Sequence, residues 1–148
     1  MMKPLDFCRG GILLFKKVHV FRIKPGQELL DEIGRYCHER GVYSGIVTGI
    51  IGSVESARLN FLVKLPGKYI SVDYPGPLEI VCAQGSVALK DGDTIIHIHI
   101  QLSGKDICRG GHLAEARVFS TAEVTIGELD YQLRRQYDEH TGLNELID

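Results

Sequence analysis

Three histidines carry the most pointed chemistry in this chain. His97 and His99 lie in the run Thr94-Ile95-Ile96-His97-Ile98-His99-Ile100-Gln101-Leu102, and His112 follows Gly110-Gly111. In a strand, alternate side chains face opposite sides. Ile96, Ile98, Ile100 and Leu102 then point into a core, while His97 and His99 share the other face. Two neutral imidazoles so placed can converge on one borderline divalent ion. A tight turn closed by Ser103 and Asp106 sets His112 opposite His97 on that face, and a loop closed by Leu102 and Ile107 gives the same register. A bulge at Gly110-Gly111 would spoil it, although the same glycines let backbone approach the site. Three histidine ligands leave a fourth position open, the pattern of a catalytic or substrate-binding metal site. Zinc is the expected ion. The competing reading is a polar sheet face that carries histidines and no metal.

Other residues are weaker candidates. Glu79 alternates with Leu78 and Ile80, so it faces away from them, either towards the histidines or into a cross-strand ion pair. Glu123 in the closing strand reads the same way. Cys108 is near enough in sequence to offer a thiolate, and Arg109 and Arg117 are candidates to hold an anionic substrate. His19, His38 and His140 lack such company and read as surface residues. No Ser/His/Asp order, P-loop or GxGxxG is present, so no catalytic residue is assigned.

The elements that must position these groups are mostly β. Residues 17–24 alternate, with Val18, Val20 and Ile23 marking a strand that Pro25-Gly26 breaks. Residues 27–40 place Leu29, Leu30, Ile33, Tyr36 and Cys37 on one helical face, and Gly41 ends the run. Gly45, Gly49 and Gly52 punctuate an apolar strand that is bent or closely approached. Strands are expected over 55–63, 78–83, 86–89, 94–102 and 118–129, with turns at Lys64-Leu65-Pro66-Gly67 and Asp91-Gly92. The tail, 130–148, has room for a short helix interrupted at Thr141-Gly142. The expected fold is α+β: one helix on a largely antiparallel sheet of about seven strands.

The 148 residues suit a single domain with its own core, and 24% charged against 44% apolar residues is ordinary for a globular chain. No apolar run approaches the roughly 18–20 residues of a membrane span. Residues 1–15 show no small-residue cleavage site, so a cytoplasmic protein is expected. A net charge of −2 argues against a protein that grips DNA mainly through phosphates. The pairs Lys16-Lys17 and Arg134-Arg135 read as solvated surface. Cys8, Cys37, Cys82 and Cys108 have no CxxC spacing and read as reduced thiols, Cys82 as a small core residue.

His97-Ile98-His99 followed by Gly110-Gly111-His112-Leu113 resembles the PPC domain (plants and prokaryotes conserved, also called DUF296). So do FRIKPGQELL from Phe21, the glycine-punctuated Val47-Thr48-Gly49-Ile50-Ile51-Gly52-Ser53, and Ala122-Glu123-Val124 with Glu128-Leu129. Gly76-Pro77-Leu78-Glu79-Ile80 is similar to the family's Gly-Arg-Phe-Glu-Ile, with proline in place of arginine. The likeness covers about residues 17–129. It implies an antiparallel sheet flanked by helix, assembled as a homotrimer. Plant members join this domain to an AT-hook that binds DNA. Here only Arg9-Gly10-Gly11 echoes the hook, so a nucleic-acid partner is not expected to carry over. The functions that remain are a metal-binding protein, a metal-dependent hydrolase or lyase acting on a small anionic substrate, and a DNA-associated or protein-interaction module.

Overall fold

A computed structural model describes residues 15–147. Cys8, the Arg9-Gly10-Gly11 fragment and nearly all of the segment read for a leader lie outside the described residues. The elements run β1 (Lys17–Ile23), α1 (Leu29–Arg40), β2 (Gly45–Lys64), β3 (Lys68–Lys90), β4 (Asp93–Ser103), β5 (Cys108–Glu128), β6 (Arg134–Asp138) and β7 (Leu143–Ile147). They form a 7-stranded sheet with one helix, the expected α+β class. Strand β2 pairs with β3 and β5, and β4 also pairs with β3 and β5, all antiparallel. These four strands therefore close a ring of pairing around part of the core.

Local chemistry explains the elements. Leu29, Ile33 and Cys37 recur every four residues and are the buried stripe of α1. Gly41 ends the helix in the left-handed region (φ 67°), where its amide bonds back to the last turn. At the other end the Glu28 carboxylate accepts from the Asp31 amide (2.7 Å) and from the Ala116 amide of β5 (2.9 Å). One side chain thus caps the helix and ties it to the sheet, and burial raises its pKa. Asp91 (φ 52°) and Gly92 (φ 91°) supply the two left-handed positions of a tight β3–β4 hairpin.

Several expectations need correction. Strands foreseen at 78–83 and 86–89 are parts of one long β3, which begins ten residues earlier at Lys68. Among the described residues the tail holds no short helix. Residues 134–147 form the β6–β7 hairpin, and Thr141-Gly142 is its turn, held by the Thr141 amide on Asp138 Oδ1 (2.7 Å) and by Gly142 at φ 70°. His19 is not a surface residue. It is buried, with Nδ1 3.2 Å from Tyr36 Oη and Nε2 3.0 Å from Glu128 Oε2, so polar partners make its burial tolerable. Cys82 faces outward, because the inward positions beside it are Ile80 and Ala83 across an irregularity in the β3–β4 pairing. Gly52 is the close approach expected in β2: a Cβ there would meet Thr121 O at 1.9 Å. No helix among the described residues is long and apolar enough to cross a membrane.

Candidate metal centre

Alternation in β4 places the histidines as expected. Ile98, Ile100 and Leu102 are buried, while His97 is half-buried and His99 exposed on the opposite face. Strand β5 brings the third imidazole, but in a different register. His112 pairs with His99, not His97, because the β4–β5 turn is closed by Gly104 and Ile107 (N to O, 2.9 Å) and Ser103 faces Cys108. The shift is two residues, so the face is unchanged. Pairing runs unbroken through Gly111 and Gly110, so no bulge intervenes. Across the other edge His112 faces Asn60 of β2, which places it where three strands meet.

The three imidazoles each offer a nitrogen, and these atoms all lie within 4.8 Å of one another. Ring centroids are 4.8 Å apart for His97–His112, 5.1 Å for His97–His99 and 5.5 Å for His99–His112. Among the described residues the group consists of these three alone. Glu79 and Glu123 are exposed on their strands and do not join it, and Arg22, opposite Glu123, bonds Thr121 Oγ1 instead. Cys108 is exposed at the far end of the β4–β5 pair, where its Sγ accepts from Gln101 Nε2 (3.2 Å). Arg109 turns to the Cys108 carbonyl and Arg117 to the Gly26 carbonyl, away from the histidines.

Burial first, then the charges of His112, Arg135 and His99, push the His97 pKa down to about 4. Burial, His99 and Arg135 lower that of His112 in the same way. Both rings are held neutral at ordinary pH, with lone pairs free to bind a cation. Zn–N bonds of about 2.0–2.1 Å in a tetrahedron require ligand nitrogens about 3.4 Å apart. The three ligand nitrogens, all within 4.8 Å of one another, lie near that spacing. The donor set therefore fits a divalent ion.

Arg135, read from the sequence as solvated surface together with Arg134, is instead half-buried beside the histidines. It comes from β6, and its Nη2 lies 3.2 Å from His97 Nδ1 and 2.9 Å from Ser86 Oγ. Nothing in Leu133-Arg134-Arg135-Gln136 distinguishes the half-buried Arg135 from the exposed Arg134. The placement follows from docking at two points: the parallel Leu89–Arg134 pair, where Leu89 N donates to the Leu133 carbonyl (3.0 Å), and the hairpin turn, where Gly67 N donates to the Thr141 carbonyl (2.8 Å). Arg135, Asn144 and Glu145 form one wall of a cleft of about 650 Å³ that opens onto all three imidazoles.

Sequence and fold comparisons now place the chain. Residues 14–130 match the Plants and Prokaryotes Conserved (PCC) domain, well over half of the chain. The protein belongs to the PCC domain family. A metal-containing protein of Archaeoglobus fulgidus is 30% identical to this PCC-domain protein and superposes with a TM-score of 0.85 over 99% of this chain and 100% of its own. A plant- and prokaryote-conserved protein of Pyrococcus horikoshii is 25% identical, with a TM-score of 0.83 over 95% and 98%. The bifunctional protein GlmU of Synechococcus sp. (strain JA-3-3Ab) is 30% identical over 133 residues. This chain spans only 20% of the length of the curated relatives it matches.

Proposed function

We propose that the protein binds one divalent metal ion, zinc, through His97, His99 and His112, with the fourth position open to the cleft, and that it works as a homotrimer. The observation that carries the metal reading is the convergence of three imidazole nitrogens within 4.8 Å beside a cleft. Lowered basicity at His97 and His112 supports it, since a proton competes poorly with an ion there. The metal content of the Archaeoglobus relative agrees with it. Zinc suits an all-imidazole set with a vacant fourth side. The trimer rests on the family resemblance, and exposed Ile51 and Val81, beside the Gly52–Ile80 pair, offer apolar surface to cover.

Native mass spectrometry with zinc titration tests the metal reading. One zinc per chain is expected in the wild type, lost in His99→Ala. At free zinc one hundred times Kd, binding adds about 2.7 kcal/mol, a rise of roughly 5–11 °C in Tm. Wild-type protein that takes up no zinc, or a His99→Ala variant with full stoichiometry, would sink it. Light scattering reads the trimer directly, and a monomer at working concentration refutes that part.

A second reading is a metal-dependent hydrolase or lyase acting on a small anionic substrate. It draws on the cleft volume and on the Arg135 cation in its wall. A bound ion would acidify water at the open position, and Arg135 would orient an anionic group beside it. Substrate screening with and without chelator tests this, and chelator-insensitive turnover rejects it.

A further inference from the structure

The C-terminal hairpin lies beyond residue 130, where the match to the PCC domain ends, yet it builds one wall of the histidine cleft. It contributes a cation, Arg135, and an acid, Glu145. We propose that the cleft takes a small organic monoanion, a carboxylate with an apolar body, whose charged end is gripped by the Arg135 guanidinium beside the three imidazoles. The inference rests on the metal reading above and names the class of ligand for that site.

Arg135 is built like half of an anion site. Every hydrogen bond it makes among the described residues goes to a neutral acceptor: Nη1 to the Asn144 carbonyl (2.8 Å), and Nη2 to Ser86 Oγ and His97 Nδ1. Its Nε is buried and has no partner among the described residues. A half-buried guanidinium whose hydrogen bonds all go to neutral acceptors keeps its charge uncompensated by them, and an oxyanion against it in the cleft offsets that charge.

Metal binding strengthens the case. His97 Nδ1 now accepts from Arg135, so the neutral ring carries its proton on Nε2. An ion taken at Nδ1 occupies that lone pair. An ion taken at Nε2 moves the proton to Nδ1, which can then no longer accept. Either way the ligating His97 releases a donor of Arg135, which then needs another acceptor.

The remaining lining sets the character of the ligand. Phe61, Leu62, Tyr69, Ile95 and Ile96 give the cleft apolar surface, and about 650 Å³ suits a small organic molecule. Glu145 is the acid on the Arg135 wall, and its charge selects against ligands with several negative groups.

The test uses the full chain loaded with cobalt(II), titrated with benzoate and followed by cobalt visible absorption and by calorimetry. The wild type is expected to bind benzoate saturably and more tightly than acetate, which lacks the apolar body. Arg135→Gln should weaken benzoate at least tenfold when compared at equal cobalt occupancy, and Arg135→Lys should fall between. Arg109→Gln, outside the cleft, should match the wild type. Equal benzoate affinity in wild type and Arg135→Gln overturns the proposal, as does a loaded wild type that shows no saturable binding. If Arg135→Gln does not fold, Arg135→Lys carries the same comparison. If cobalt is not retained, the metal reading fails on its own. Calorimetry of benzoate with metal-free wild type and Arg135→Gln then decides the Arg135 assignment by the same difference in affinity.

Discussion

Gly85 of β3 sits where the sheet can least accept a side chain. A Cβ built there would lie 2.0 Å from the His97 carbonyl oxygen and 2.9 Å from Ile98 Cγ1. Both obstacles belong to β4, which pairs Gly85 with Ile98 and Ser86 with His97. Real Cβ contacts begin near 3.0 Å, so Gly85→Ala must drive the strands apart by 1 Å or more. A backbone hydrogen bond stretched from about 2.9 to about 3.9 Å is lost. Two such bonds at about 1 kcal/mol each, added to an overpacking cost of about 1–3 kcal/mol, give a loss of roughly 3–5 kcal/mol. For a chain of this length that is a fall in Tm on the order of 10 °C. The displaced backbone carries His97, so zinc affinity should fall at least tenfold in the same protein. Urea denaturation and a competitive zinc titration measure the two effects. Gly49→Ala is the control, because a Cβ there meets nothing within 4 Å, and it should stay near the wild type. A Gly85→Ala protein with the wild-type midpoint and zinc affinity would refute the reasoning about strand spacing.

Two further predictions concern the fold. Gly34 lies inside α1, and a Cβ added there would meet nothing within 4 Å, so Gly34→Ala should raise stability by about 0.5–1 kcal/mol in urea denaturation. The His19 and Lys16 hydrogen bonds hold the Glu128 carboxyl below its ordinary value of 4.5. Its contribution is therefore complete above that value and drains away as pH falls through the lower folded pKa. Stability measured from about pH 6 to pH 3 should drop less steeply in Glu128→Gln than in the wild type, and identical slopes would contradict the pairing.

Legibility in the sequence followed how local the determining physics was. Helix α1 was readable because its apolar stripe, its glycine stop and its length all sit within one window. The Asp91-Gly92 hairpin was readable because only a few residue types tolerate two left-handed positions in a row. The first half of β3 was not. Ile70-Ser71-Val72-Asp73-Tyr74 does alternate, but the run is short, largely exposed and followed by Pro75-Gly76-Pro77, which reads as a break from the strand at Leu78. Its pairing with β2 makes it a strand. The tail was misread for a similar reason: Thr141-Gly142 breaks a helix and turns a hairpin equally well.

The metal cluster shows why a wrong register still gave the right face. Side-chain direction repeats every two residues along a strand, so an error of two in the β4–β5 pairing moves His112 from His97 to His99 without turning it over. An error of one would have placed it in the core with Ile98 and Ile100. Cluster membership depended on parity, which alternation in 94–102 fixes, more than on the turn, which it does not. Arg135 had no such protection. Its place depends on a hairpin docking beside Leu89 of β3 and on the Gly67 amide, and no periodicity in Arg134-Arg135-Gln136 encodes that meeting. Ligands supplied by neighbouring strands of one sheet can thus be read from pattern, whereas a cation delivered by a separate hairpin is visible only once the hairpin has docked.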